Sequence, residues 1–286
     1  MSAAESLPVP RFGRSTSRAP EADIGRALAE HGVVVVAAEG LDEESVERAA
    51  AASRRAFALP DDRKASLQGP IDGSQRGYLP LRTILPSGRQ ALDRKEAWHA
   101  RAEDHPAENL FPEEVPEFGR SLLALIEGLE ATSLRLLRGI EAFLGRAGGY
   151  LEAQVQAGDS LLRVNHYPKR SLGEDDQPFL PHEDFDLITL LFGASEPGLE
   201  VQDRSGVWRP VASSMGDAIV TVGCLLEAES EGAILATRHR VVSPADSDSG
   251  RLSMVYFVSP RPEVILSGGR SAGEIVDQHL REAGYA

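Results

Sequence analysis

Pro181-His182-Glu183-Asp184-Phe185-Asp186-Leu187-Ile188-Thr189-Leu190-Leu191-Phe192 is the stretch on which the reading of this chain turns. Its second half is a short apolar run of strand length. At the mouth of that strand stand a histidine and a carboxylate two residues apart. In extended chain, residues i and i+2 point to the same face, so His182 and Asp184 can reach one point while Glu183 turns away. Further β-rich runs surround it at 160–167, 199–202, 207–211, 218–223, 238–243 and 251–259, separated by Gly, Pro, Asp and Ser clusters. Asp203-Arg204-Ser205-Gly206 reads as a hairpin turn. Many short strands at regular spacing predict a sandwich or jelly roll with helices packed outside it.

The first half of the chain has a helical period instead. Pro20-Glu21 opens a helix with Ile24, Ala27 and Leu28 on one face, ended by Gly32. Val33 to Val36 follow as a buried strand, and Asp42 is placed to cap an Ala-rich helix through Phe57. Residues 68–116 are rich in Gly, Pro and charge, which predicts irregular structure with short strands. Leu122, Leu125, Ile126, Leu129 and Leu136 then recur at helical spacing in a long helix from about Glu117 to Leu144, with Gly148-Gly149 at its exit. The expected class is α+β with a mainly β core. Residues 1–115 form a mixed helical region and 116–286 a long helix plus catalytic barrel, together one compact unit.

Bulk composition narrows the partners. The chain has 286 residues, with 30 Lys+Arg against 44 Asp+Glu and a formal net charge of −14. Such a surface is poorly suited to a phosphate backbone or an anionic membrane. No apolar run approaches a membrane span, and the first twenty residues lack the apolar core of a signal peptide. The single cysteine, Cys224, excludes an internal disulfide framework and a Cys-based zinc motif. A cytoplasmic protein acting on a small molecule is expected.

A third candidate ligand, His239, lies in another strand-like run, Thr237-Arg238-His239-Arg240-Val241-Val242. A His-x-Asp pair alone is equally a strand-edge histidine beside a solvated carboxylate. With a second imidazole it becomes the two-histidine, one-carboxylate set that holds Fe(II) from one face and leaves positions open for a chelating co-substrate and O₂. Arg251-Leu252-Ser253 opens the next apolar strand. An inward guanidinium there needs an anion to offset its desolvation. The far carboxylate of a dicarboxylic 2-oxo acid meets that need, with Arg251 gripping it at two points and Ser253 adding a hydroxyl. Arg163, Asn165 and Tyr167 share a face of a further strand, which the barrel turns inward.

In this order the motifs resemble the isopenicillin N synthase-like branch of 2-oxoglutarate/Fe(II) dioxygenases. Asn165-His166-Tyr167-Pro168 is similar to the family's NxYP strand, and His182 to Leu191 to its HxDxxxxTLL strand. Gly198 to Gln202, Trp208 and Val211 resemble its hairpin. Arg238 to Val241 and Arg251 to Ser253 resemble its second-histidine and co-substrate motifs. Glu30-His31-Gly32, Phe57 to Pro60 with Lys64, Gly77-Tyr78 and Asp93 to Glu96 are similar to its N-terminal region. The resemblance implies a double-stranded β-helix, Fe(II) on His182, Asp184 and His239, and 2-oxoglutarate on Tyr167, Arg251 and Ser253, with Asn165 lining the site. Two departures stand out. Val222-Gly223-Cys224-Leu225 occupies the place of a Gly-Asp pair, so an outer carboxylate is expected to be missing, with Cys224 near the site. Val33 to Val36 also runs on without the usual Asn-His.

The expected reaction is oxidation of a C–H bond by O₂ and 2-oxoglutarate, hydroxylation being the default, with succinate and CO₂ as co-products. The composition and the family's habits point to specialised metabolism. Tyr78, Arg82 and Arg163 are the candidate substrate contacts, and the two arginines suggest a small anionic or amino-acid-derived molecule. Trp98 is expected to support them, and loops at 68–92 and 171–180 to border the mouth. Two rivals stay open on sequence: an oxidase of the same fold that does not use 2-oxoglutarate, and a non-oxidative metal barrel, either hydrolase, isomerase or sensor.

Overall fold

Asp42 opens the second helix as its position predicts. Its Oδ1 accepts the Ser45 backbone N–H at 2.7 Å at the start of α2 (Glu43–Phe57). Gly32, at φ 73°, ends α1 (Ala22–His31) in the left-handed conformation that glycine adopts without a Cβ clash. The computed structural model describes residues 9–13, 22–39, 41–69, 76–80, 95–102, 108–156, 158–168, 181–194, 198–242 and 250–282. Most of the loops at 68–92 and 171–180 lie outside them.

One large sheet carries the molecule. Its strands are β1 (Arg11–Phe12), β2 (Val33–Ala37), β3 (Gly77–Leu79), β4 (Glu96–Ala100), β5 (Leu161–Tyr167), β6 (Ile188–Phe192), β9 (Asp217–Val222) and β11 (Arg251–Val258), in the order β1-β2-β9-β6-β11-β5-β4-β3. All pairs are antiparallel except β1 with β2. A smaller sheet of β7 (Leu199–Gln202), β8 (Trp208–Pro210) and β10 (His239–Val241) runs in the order β10-β7-β8. Val33, Val35 and Ile219 of the large sheet and Leu199 and Val201 of the small one form a buried cluster between the two. This is the jelly-roll architecture, in an α+β chain whose core is mainly β.

The two faces of the large sheet do different work. Directly paired residues share a face, so Val35, Ile219, Leu191, Val255, Arg163 and His99 form one row across six strands, facing the barrel interior. The opposite face presents Val36, Ala218, Phe192, Met254, Val164 and Trp98 to the helices. There α4 (Pro116–Leu144) lays down the stripe Leu122, Leu125, Ile126, Leu129 and Leu136, all buried. Trp98 is fully buried, with Phe57, Tyr78 and Phe118 rings around it at 5.3–6.2 Å and its indole N–H on the Leu110 carbonyl. Trp98→Ala would therefore open the joint between α2, α4 and the sheet, at about 3–5 kcal/mol.

Helix α4 stops at Leu144, where Gly145 takes a left-handed cap, before the Gly148-Gly149 pair. Those glycines lead into α5 (Tyr150–Val155), whose first N–H groups are taken by the buried Glu141 carboxylate. Three short elements complete the described fold: α3 (Asp61–Ala65), α6 (Cys224–Glu229) and α7 (Ala272–Glu282). No helix among the described residues is long and apolar enough to cross a membrane.

Candidate active site

His182 and Asp184 do not lie within a strand, as their spacing suggested. The strand begins only at Ile188, and the segment before it is fixed by other backbone contacts. His182 and His239 exchange backbone hydrogen bonds at 2.9 and 3.1 Å in an isolated bridge. The Asp184 and Asp186 carbonyls accept the N–H groups of Cys224 and Leu225, at the start of α6. The consequence is the one expected of a strand. His182 Nε2 lies 3.7 Å from Asp184 Oδ1, His239 Nε2 lies 3.6 Å from Asp184 Oδ2, and one ligand atom from each residue falls within 4.8 Å of the others.

These separations exceed hydrogen-bond length, so the three groups converge on a point without bonding each other. That point fits a metal ion, and two imidazoles with one carboxylate suit Fe(II). The His239 ring is set for the task by Nδ1, which lies 3.1 Å from the Thr237 carbonyl oxygen. A carbonyl only accepts, so the proton sits on Nδ1 and the Nε2 lone pair faces the site. Thr237 is itself tied to β9 through its N–H on the Val222 carbonyl. The His182 side chain is 33% exposed against 4% for His239, so the site opens on the His182 side.

Asp184 is held from behind. The Thr189 hydroxyl lies 2.6 Å from its Oδ2 and 2.8 Å from Oδ2 of Asp186. One hydroxyl carries one proton, so making both contacts as hydrogen bonds needs a proton on one of the two carboxyls. Burial, then the charge of Asp184, pushes the Asp186 carboxyl well above the usual range. Burial also opposes ionisation of Asp184, but the charges that His239 and His182 carry when protonated, the Thr189 hydrogen bond and Arg163 hold it low. Gly223-Cys224 lacks the outer carboxylate that relatives of this pattern carry there. Asp186 supplies one from the other side, inside the stretch first quoted. Its visible signal was a carboxylate two residues beyond a ligand at the edge of an apolar run. Gly223 is part of this arrangement, since a Cβ there would stand 2.2 Å from both the carbonyl oxygen and Oδ1 of Asp186. Cys224 is buried beside them, and burial with the surrounding acidic groups pushes its thiol up to about 12, which makes it inert.

The inward rows of β5 and β11 carry the other candidates. Arg251 pairs with Tyr167, and Ser253 with Asn165. The Arg251 guanidinium lies 5.4 Å from the Tyr167 ring centre. Arg251, Ser253 and Asn165 are all buried. The Asn165 Oδ1 has no hydrogen-bond partner among the described residues, a costly state that a bound polar ligand or water would relieve. Arg163 stands one inward position further along β5, 4.9 Å from the Phe257 ring centre, and its charge reaches Asp184.

Tyr78 has a different place from the mouth contact expected of it. It is buried on the helix side of the sheet, where its hydroxyl donates to Glu96 Oε2 at 2.6 Å. Lys64 Nζ reaches the same oxygen at 2.8 Å, and His166 Nδ1 lies 2.8 Å from Oε1. Phe57 stacks on the His166 ring with centroids 5.0 Å apart. Three of the short N-terminal motifs, those of Phe57 with Lys64, of Tyr78 and of Glu96, thus meet around one carboxylate. Arg82 lies outside the described residues.

A family profile described as the 2OG-Fe(II) oxygenase superfamily matches residues 158–260, and one described as the non-haem dioxygenase in morphine synthesis N-terminal matches residues 7–117. The chain is 29% identical over 260 residues to a 2-oxoglutarate-Fe(II) type oxidoreductase of Metarhizium rileyi, covering 82% of this chain and 74% of that protein. It is 27% identical over 256 residues to a proline hydroxylase of Petromyces alliaceus, with 83% and 80% covered. The crystal structure of a 2OG-Fe(II) oxygenase family protein from Caulobacter crescentus superposes with a TM-score of 0.81 at 28% identity, over 98% of this chain and 100% of that one.

Proposed function

The chain belongs to the 2-oxoglutarate/Fe(II) dioxygenase family, and from that membership we propose that it hydroxylates an unactivated C–H bond of a small anionic or amino-acid-derived metabolite. The observation that carries the substrate class is Arg163, an inward cation in the same chamber as Asp184. The Petromyces relative, a proline hydroxylase, acts on an amino acid and supports the same class.

Fe(II) with 2-oxoglutarate and O₂ supplies the oxidising power when bound, with succinate and CO₂ as co-products. In this reading His182, Asp184 and His239 hold the metal from one side, and Thr189 and Asp186 keep the Asp184 carboxylate aimed. Arg251 and Ser253 clamp the far carboxylate of the co-substrate, beside Tyr167 and Asn165. Leu191, Val255 and Phe257 line the same inward rows and keep water from the reacting bond. Arg163 orients the substrate by its negative end, so that one C–H bond is presented repeatedly. Regions 1–115 and 116–286 act as one unit in this reading, because β2 and β4 share a sheet with β5, β9 and β11. A reducing cytoplasm suits Fe(II) and the lone thiol, and a role in specialised metabolism completes the proposal.

Anaerobic titration of the purified protein with Fe(II) and 2-oxoglutarate tests the co-substrate. A weak visible charge-transfer band at roughly 500 nm is expected, because the chelate needs the open face of the metal. The band should disappear in Arg251→Ala at the same 2-oxoglutarate concentration. Iron binding without the band in the wild type would return the oxidase reading. For the substrate class, small acids should stimulate 2-oxoglutarate decarboxylation more than their neutral analogues, and the reverse preference would sink the anionic assignment.

A further inference from the structure

His99 has no role in the reading above. It lies on the inward face of β4, directly opposite Arg163 in register, and is 4% exposed. The Arg163 Nε–H donates to His99 Nε2 at 2.9 Å. Guanidinium nitrogens only donate, so the imidazole accepts, which requires the neutral ring with its proton on Nδ1. Burial first, then the charges of Arg163, Arg101 and Lys95, keeps His99 in that form. On the other side, the Phe257 ring lies under the guanidinium. Arg163 is thus gripped by an acceptor at Nε and by an aromatic face.

This grip has a stereochemical consequence. A guanidinium can meet a carboxylate at two points either through Nε and one terminal nitrogen, or through its two terminal nitrogens. With Nε committed to His99, only the second approach gives a two-pronged contact. We propose that His99 is a positioning residue that fixes Arg163 so that the terminal edge of its guanidinium receives the carboxylate of a monocarboxylic substrate. The inference rests on the reading of Arg163 as the anion-binding group and goes one step further, by assigning what aims it. Loss of His99 leaves the charge in the chamber but lets the guanidinium rotate, so the preference for a planar carboxylate falls while the 2-oxoglutarate site is untouched.

The test compares monocarboxylates with their primary amides, from acetate and benzoate to L-proline, on anaerobic protein loaded with Fe(II) and 2-oxoglutarate. Binding is read from the change in the visible band. His99→Leu should lose about tenfold of the carboxylate-over-amide preference, the change expected of one misaligned charge-assisted hydrogen bond. His99→Gln keeps an acceptor oxygen at similar reach and should retain most of the preference. In both variants the 2-oxoglutarate titration should match the wild type, which also shows that the barrel has folded. Full preference in His99→Leu would overturn the proposal and leave Arg163 as the anion site. A wild type that does not distinguish carboxylates from amides would overturn both.

Discussion

Two carboxylate–histidine clusters occupy opposite faces of one sheet, and only one of them is built to hold something else. Around Glu96, the donors of Lys64, Tyr78 and His166 stand 2.6–2.8 Å from the carboxylate oxygens. Every contact is at hydrogen-bond length, and the group is complete as it stands. Around Asp184, the imidazole nitrogens stand 3.6 and 3.7 Å away. Each has a buried carboxylate with histidine beside it. Distance separates a structural knot from a binding site. Glu96 is closed by its neighbours, whereas the Asp184 group is incomplete without a metal ion.

The comparison predicts opposite phenotypes, and the largest belongs to the open cluster. Asp184→Ala should lower Fe(II) affinity by more than ~100-fold, since outer partners of a ligand alone account for 10–100-fold. Turnover should fall below detection. The metal-free variant should lose only about 1.5–3 kcal/mol in urea, the worth of the one charge-assisted hydrogen bond from Thr189 that it removes. A variant that turns over normally would remove Asp184 from the site.

Glu96→Ala should do the reverse. It strands the buried Lys64 ammonium, leaving it among the described residues with the exposed Asp61 at 3.1 Å and the Tyr78 ring at 5.3 Å. Breaking one side of a buried pair costs about 3 kcal/mol here, while Fe(II) affinity of the folded protein should not change. Acid sensitivity gives a second measure. Burial opposes ionisation of Glu96, but hydrogen bonds from His166, Lys64 and Tyr78 outweigh it and bring the carboxyl down to about 2 from 4.5. The folded value lies below the unfolded one, so this stabilisation is present above about pH 4.5 and lost as pH falls towards about 2. Urea midpoints across that window should slope in the wild type and be flatter in Glu96→Gln.

Tyr78→Phe is the smallest and most discriminating change. It removes one hydrogen bond to a charged acceptor, worth about 1.5–3 kcal/mol, and should leave kcat/KM for any active substrate unchanged. A large rise in KM with unaltered stability would instead return Tyr78 to the substrate contacts.

The two clusters also differ in how far they could be read from sequence. The convergence of His182, Asp184 and His239 was legible because ionisable groups at fixed spacing beside apolar runs are unusual for their surroundings. The long helix and most strands were legible from periodicity. The Glu96 group was not, because its members are spread over residues 64 to 166 and only the pairing of β3, β4 and β5 brings them together. The place of Tyr78 is hidden for the same reason, since a tyrosine in an irregular stretch carries no mark of which face it will occupy. Asp186 is hard to read because the hydroxyl that ties it to Asp184 belongs to Thr189, inside the apolar run. His99 leaves no sequence signal; its meaning comes from the residue opposite it in register.

The pairing of β2 with β9 has a consequence for how the chain is made. Val33-Val34-Val35-Val36 must wait for residues 217–222 before its antiparallel neighbour exists. At ~5–20 residues per second, that delay is on the order of ten seconds or more. Throughout it, four consecutive β-branched residues are a ready template for another nascent chain. The helices α1 and α2, which flank this segment in sequence, are local and fold early. The hazard in producing this protein therefore lies at β2 during translation, and slower synthesis would prolong it.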